Sequence, residues 1–301
     1  MKKLAAFDLV ILGYVTIMSL VVVFFRPPHA WMYLAYHAAV AVMGALCIYA
    51  HDRFGGRFWT VCRYWYVIPF TLGAFREIHF LVPPVHPFDD HHFDRVLASL
   101  DRRWFGDVDA FFLSGWPPAV MDLLHLCYWS YYIAMILLGT MLHLRGEWDK
   151  LRELLSVTML ALLTSYLGYF LVPAVGPHHF MDPRPAVLDG WILGGPMHRA
   201  VIAAEWTTPD AFPSGHALNS LVMIVMTWRL YRRGFWVALV PSLGCILATV
   251  ALRYHYVVDV IGAAALFPAL VLGGVALHRW WERGVDESAA QIRQPSTSSL
   301  P

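Results

Sequence analysis

The sequence predicts an all-α, polytopic bundle of membrane-spanning helices, and three observations carry that expectation. Hydrophobic residues make up 58% of the 301 positions, and charged residues only 14%. Soluble domains hold about 25% charged residues, so a water-facing surface of this size has too few charges to cover it, whereas lipid requires no polar face. The apolar residues also fall in long runs, and the mean hydropathy is +0.54. A run of about 20 apolar residues crosses a bilayer as a helix.

Eight runs are candidates, over about 5–25, 30–50, 59–83, 117–143, 153–175, 214–230, 235–252 and 255–277. The first follows Met1-Lys2-Lys3 and exceeds the apolar core of about 7–15 residues found in a signal peptide, so it reads as a retained helix. The third and fourth carry Arg63, Arg76, Glu77, Asp122 and His125, which puts the span count between six and eight. The chain then divides into N-terminal transmembrane helices (1–83), an extracytoplasmic interfacial segment (84–116), a catalytic transmembrane domain (117–284) and a polar tail (285–301). The tail, rich in Pro and Ser, is expected to be disordered. The aromatic and charged mixture of 84–116 suggests one or two helices lying at the membrane surface. The second long connection, about 176–213, is rich in Pro and Gly and reads as a functional loop.

Orientation follows from Lys and Arg in the short loops. With the N-terminus inside, the inside segments hold Lys2, Lys3, Arg53, Arg57, Arg63, Arg145, Lys150, Arg152, Arg229, Arg232, Arg233, Arg279 and Arg283. The short outside turns hold little beyond Arg26 and Arg253. Both termini are therefore expected in the cytoplasm. A formal net charge of +1 with no basic face argues against a nucleic-acid partner. Cys47, Cys62, Cys127 and Cys245 form no CxxC pair and read as small buried hydrophobes.

Three segments arrive at the outer face in this topology: Pro173–Pro177, Phe212–His216 and Arg253–Asp259. His255 and Asp259 are four apart and share a helix face. A carboxylate there can fix the imidazole tautomer and leave the other nitrogen nucleophilic; the bland alternative is an interfacial histidine beside a helix cap. Pro213-Ser214-Gly215 opens an apolar helix whose amides can receive an anion, with His216 in the first turn; the bland alternative is a serine N-cap. Two histidines, an orienting Asp and Arg253 nearby suit phosphoryl transfer. One histidine attacks phosphorus, the other protonates the departing oxygen, and cations and amides hold the equatorial charge.

The paired Pro213-Ser214-Gly215-His216 and His255-Tyr256-Val257-Val258-Asp259 motifs resemble those of the type 2 phosphatidic acid phosphatase (PAP2) superfamily. The segments VPAVGP, FPSGH and RYHYVVDVIG, with Asp101–Gly106 (DRRWFG), are most similar to the branch containing inositol phosphorylceramide synthase and its bacterial relatives. The resemblance covers about 101–261. It implies a PAP2-type helical core, with His255 as the phosphorylated nucleophile, His216 as the leaving-group acid and Asp259 as the orienting carboxylate. It further implies phosphate contacts from Ser214 and the amides of Gly215 and His216, no metal or cofactor, and a lipid phosphate or phospholipid substrate. The sequence departs from the pattern at three places. Pro177 stands where the superfamily has a Lys upstream of Arg184-Pro185, Thr249 stands where it has an Arg, and His178 stands where the synthase-like branch often has one. The phosphate clamp is therefore assigned to Arg253, Arg184 and Arg76, in that order.

The expected activity is an integral membrane phosphoesterase or phosphotransferase, a phosphatase when water is the acceptor and a head-group transferase when an alcohol is. Two rival classes are a transporter, with Arg76, Glu77, Asp122 and His125 lining a path, and a non-catalytic lipid-binding protein. Asp89, Asp90, His91, His92, His178 and His179 can be read as metal ligands or as solvated loop, and the latter is preferred.

Overall fold

The computed structural model describes residues 4–86, 91–113, 115–181, 184–205 and 209–293, without the side chains of 205 and 285–293. The described residues form helices and no strands. In chain order the helices are α1 (Ala6–Phe25), α2 (Ala30–Phe54), α3 (Gly56–Trp65), α4 (Val67–Val85), α5 (His92–Phe105), α6 (Val108–Leu113) and α7 (Pro118–Leu144). They continue with α8 (Trp148–Leu171), the single turn α9 (Pro177–Phe180), α10 (Gly194–Glu205), α11 (Gly215–Leu230), α12 (Phe235–Ala251) and α13 (Val257–Arg293).

Six helical segments, near α1, α2, α7, α8, α12 and α13, are long and apolar enough to span a membrane. Six of the eight expected runs match them, and the other two are altered for local reasons. The run at 59–83 is broken at Tyr66, because Pro69 has no N–H to give the carbonyl of Trp65. The run at 214–230 becomes α11, only 16 residues long; it is short because protein rather than lipid surrounds it, and most of its residues are buried. The 84–116 segment contains α5 and α6. The second long connection, read as loop, contains α10. Pro196 in the first turn of α10 costs no hydrogen bond, and the Ala-rich stretch that follows favours helix. Helix α13 runs into the expected tail as far as Arg293; residues 294–301, like Asp89 and Asp90, lie outside the described residues.

Helix α8 is the hub. It packs against α1, α4, α7, α11 and α13, while α12 lies along α7 and α11. Two buried polar clusters within the N-terminal helices pair internally, as an apolar solvent favours. Asp8 accepts a two-pronged contact from Arg63 (3.0 and 2.5 Å) and bonds the Tyr66 hydroxyl (2.5 Å) and the Ala5 amide (2.6 Å). His37 bridges Ser19 (2.8 Å) and Glu77 (2.7 Å). The polar residues that a transporter reading would string into a path serve separate contacts. Glu77 meets His37, Arg76 donates to the carbonyl of Ala204, His125 bonds the carbonyl of Leu188, and Asp122 accepts the amides of 191–194.

Candidate active site

The turn between α12 and α13 holds His255, and two aspartates on α5 hold that turn. Asp101 accepts the amides of Val257 (2.8 Å) and Val258 (2.9 Å), satisfying the open N-terminus of α13 from another helix. Asp94 accepts the amides of Val175 (3.0 Å) and Gly176 (2.9 Å) and the hydroxyl of Tyr256 (3.0 Å). One aspartate thus ties the Pro173–Pro177 segment to the histidine turn. Seven residues separate the pair, so two helical turns place both on one face of α5. Burial raises both carboxyls above the ordinary aspartate range, and the amide donors oppose that shift.

His255 is buried, and its Nδ1–H donates to the carbonyl of Ala211 at 2.8 Å. The Oδ2 of Asp259 lies 3.5 Å from the same nitrogen. The ring is therefore fixed mainly by a backbone carbonyl, with the carboxylate as a longer electrostatic neighbour. Either contact places the proton on Nδ1 and leaves the Nε2 lone pair for chemistry. Asp259 is fully buried. Its Oδ2 accepts the amide of Tyr256 (2.8 Å), and its own carbonyl accepts the amide of Ser214 (3.1 Å). That last bond brings the start of α11 against the start of α13.

His216, in the first turn of α11, lies with its ring centroid 5.8 Å from that of His255. Three tyrosines of α7 surround it. Tyr128 stacks on the ring at 4.4 Å, Tyr131 lies at 4.4 Å, and Tyr132 shares a 3.3 Å hydrogen bond with Nε2. Tyr128 also stacks on Tyr254 at 4.4 Å. Ser214 caps α11 by accepting the amide of Ala217 (3.2 Å), and the amide of Gly215 donates to the Tyr169 hydroxyl (3.1 Å). In this geometry both groups are engaged by protein.

A cavity of about 360 Å³ opens beside His255, lined also by Arg253, Arg102, Asp101, Asp107 and Asp109. Arg253 adopts a left-handed backbone (φ 63°). Its guanidinium forms a two-pronged pair with Asp109 of α6, at 3.0 and 2.7 Å. Of the three expected clamp residues, the structure brings Arg253 alone into this cavity. Arg184 donates to the carbonyls of Leu252 (2.8 Å) and Leu188 (3.2 Å), so it braces the backbone just before Arg253. Arg76 lines a separate cavity with Glu77, Tyr33 and Tyr36.

The family model for the PAP2 superfamily matches residues 95–272, from within α5 into the first half of α13. The chain belongs to the PAP2 superfamily. This PAP2 membership supports a phosphatase- or phosphotransferase-type function. Among curated proteins and among solved structures, no match is found.

Around the PAP2 motifs, a sequence reading misses Ala211, Tyr128, Tyr131, Tyr132, Tyr169, Asp94 and Asp109. Ala211 contributes only its carbonyl, which no side-chain pattern reveals. Tyr128, Tyr131 and Tyr132 did carry a signal, since positions i, i+3 and i+4 share one helix face. Farther out, His178 lies 4.0 Å ring to ring from His179 and 5.4 Å from Tyr254, and His198 bonds the Tyr254 hydroxyl at 2.7 Å. Burial, then neighbouring histidines, hold His178 well below the usual imidazole range. Burial, then Arg184, lower His198 to about 4.

Proposed function

We propose that the protein is an integral membrane lipid phosphatase or phosphotransferase that works through a phosphohistidine at His255. The observation that carries the reading is the approach of two imidazoles, His216 and His255, close enough to touch one ligand, with His255 protonated on the nitrogen that faces Ala211. The Nε2 of His255 attacks phosphorus. The P–N bond forms as the P–O bond to the departing alcohol breaks, and that oxygen takes a proton from His216. In the second half, water or an alcohol gives a proton to His216 while its oxygen attacks phosphorus. The P–N bond then breaks and Nε2 recovers its lone pair. Arg253 offers the phosphate its charge, which requires exchange with or sharing beside Asp109.

The substrate is a lipid phosphate or the head group of a phospholipid. The Lys and Arg distribution supports cytoplasmic termini and an extracytoplasmic site. The cavity of about 360 Å³ beside His255 has room for a phosphate-bearing head group. With water as acceptor the protein is a phosphatase, and with an alcohol it is a head-group transferase resembling inositol phosphorylceramide synthase.

The test offers the purified protein phosphatidic acid, a polyprenyl diphosphate and phosphatidylinositol, with free phosphate and new lipid products both followed. We expect turnover that chelators leave unchanged. His255→Ala should remove both turnover and the acid-labile phosphoenzyme. His216→Ala should keep a slowly formed phosphoenzyme while turnover drops by about 10²–10⁴-fold. A correctly folded His255→Ala protein with wild-type turnover would end the proposal.

A further inference from the structure

The connection before α10 exposes three consecutive apolar side chains, with Trp191 75%, Ile192 67% and Leu193 41% exposed. Their backbone is held by one carboxylate. In the second turn of α7, Oδ1 of Asp122 accepts the amides of Trp191 (3.2 Å), Leu193 (3.0 Å) and Gly194 (2.9 Å), and Oδ2 accepts that of Ile192 (2.9 Å). Gly190 (φ +68°) permits this closure, since a Cβ there would overlap the Asp122 carboxylate; a Cβ at Gly194 would overlap the His125 ring. The turn is thus built to present side chains outward on a fixed backbone.

Its place in the bundle indicates what covers it. Asp122 lies at the end of a helix long and apolar enough to span the membrane. Leu123, next to Asp122, and Leu126, one turn further in, are also exposed, at 57% and 48%, so the apolar surface continues from the helix onto the turn. Tyr128, which stacks on His216, lies six residues along α7 from Asp122, roughly 9 Å at 1.5 Å per residue. The turn is therefore at the active-site end. Tryptophan favours the head-group level of a bilayer, and a backbone ordered in advance lowers the cost of inserting side chains there.

We propose that residues 191–193 form a rigid apolar finger seated in the bilayer leaflet at the active-site end, with Asp122 as its organiser. The finger keeps the site at head-group depth; its effect on turnover rests on the phosphotransfer reading above, whereas its insertion does not.

The test places Ile192→Cys, in a full-length background without the native cysteines, into phosphatidylcholine vesicles and attaches an environment-sensitive fluorophore. We expect quenching by lipids spin-labelled near the head group and protection from iodide. Quenching by iodide alone overturns the proposal, and so does protection from both quenchers, which signals cover by protein. Asp122→Ala, which removes both acceptor oxygens, should admit iodide with helix content unchanged; unchanged protection removes Asp122 as organiser. The Trp191→Ser/Ile192→Ser protein should lose several-fold turnover on vesicle-embedded substrate and none on a short-chain soluble analogue. Equal loss on both removes the positional role. A wild-type protein inactive on both counts against phosphotransfer alone, because the quenching result stands by itself.

Discussion

Arg253 illustrates how a side chain of the site is set by its neighbours. Its left-handed backbone and its fork with Asp109 aim a guanidinium at the cavity beside His255. Two-pronged charge-assisted contacts are strong and geometrically selective. Asp109→Asn keeps the shape and removes the charge, so the guanidinium should lose its fixed direction. A several-fold rise in KM with a smaller change in kcat is expected in steady-state assays. Unchanged kinetics would show that Asp109 does not position Arg253. At this scale the sequence was legible where a function rests on a side chain in a motif. His216, His255 and Asp259 lie together, at the one end of the bundle to which the sequence-derived topology brings their segments. It was less legible where the partner is backbone, as with Ala211, or where a residue far along the chain supplies it. Asp109 lies 144 residues from Arg253, and nothing in local spacing links them. Ser214 shows a bland reading and a functional one sharing an atom, since its hydroxyl caps α11 at the position the resemblance marks for phosphate.

Among the elements, α5 does the most to position the site. Its aspartates cap α13 and grip the Pro173–Pro177 segment, so the histidine turn is held from outside its own helix. Asp101→Ala leaves two amides at the α13 N-terminus without these acceptors. A loss of about 1 kcal/mol, within roughly 0.5–2, is expected by analogy with deleted N-caps, read as a lower midpoint in denaturant; no change would mean that water replaces the carboxylate. In the N-terminal unit, Arg63→Leu strands the buried Asp8 carboxylate. About 3–5 kcal/mol is expected for breaking such a pair, seen as a lowered Tm in detergent. Helix existence was legible from apolar runs, and helix ends were less so. The Tyr66 break follows from a proline three residues on, α10 hides in a stretch whose Pro and Gly content reads as loop, and α11 is short because protein instead of lipid encloses it.

For the molecule as a whole, the membrane character was the most legible property, because composition alone demands an apolar solvent. Two buried imidazoles outside the spans weaken the fold in acid, whereas the raised carboxyls of Asp94 and Asp101 act in the opposite direction. The folded-state value of His198, about 4, lies below the ordinary 6.5. Between those values the unfolded chain binds a proton that the folded chain does not, so stability rises with pH across that window and is lost as pH falls from 6.5 toward 4. His178 acts in the same direction. His198→Gln should shrink the fall in Tm between about pH 7.5 and about pH 4.5; an identical fall in both proteins would assign the acid response elsewhere. The stacked rings of His216, Tyr128 and Tyr254 have a consequence at this scale too. They join α11, α7 and the α12–α13 turn in one column, so a lateral shift of any of the three elements must slide one aromatic face across another. Ring currents in such a column displace the imidazole proton resonances of His216 upfield. Those resonances would register, in a magnet and without any substrate, whether the three pieces of the bundle move as one body.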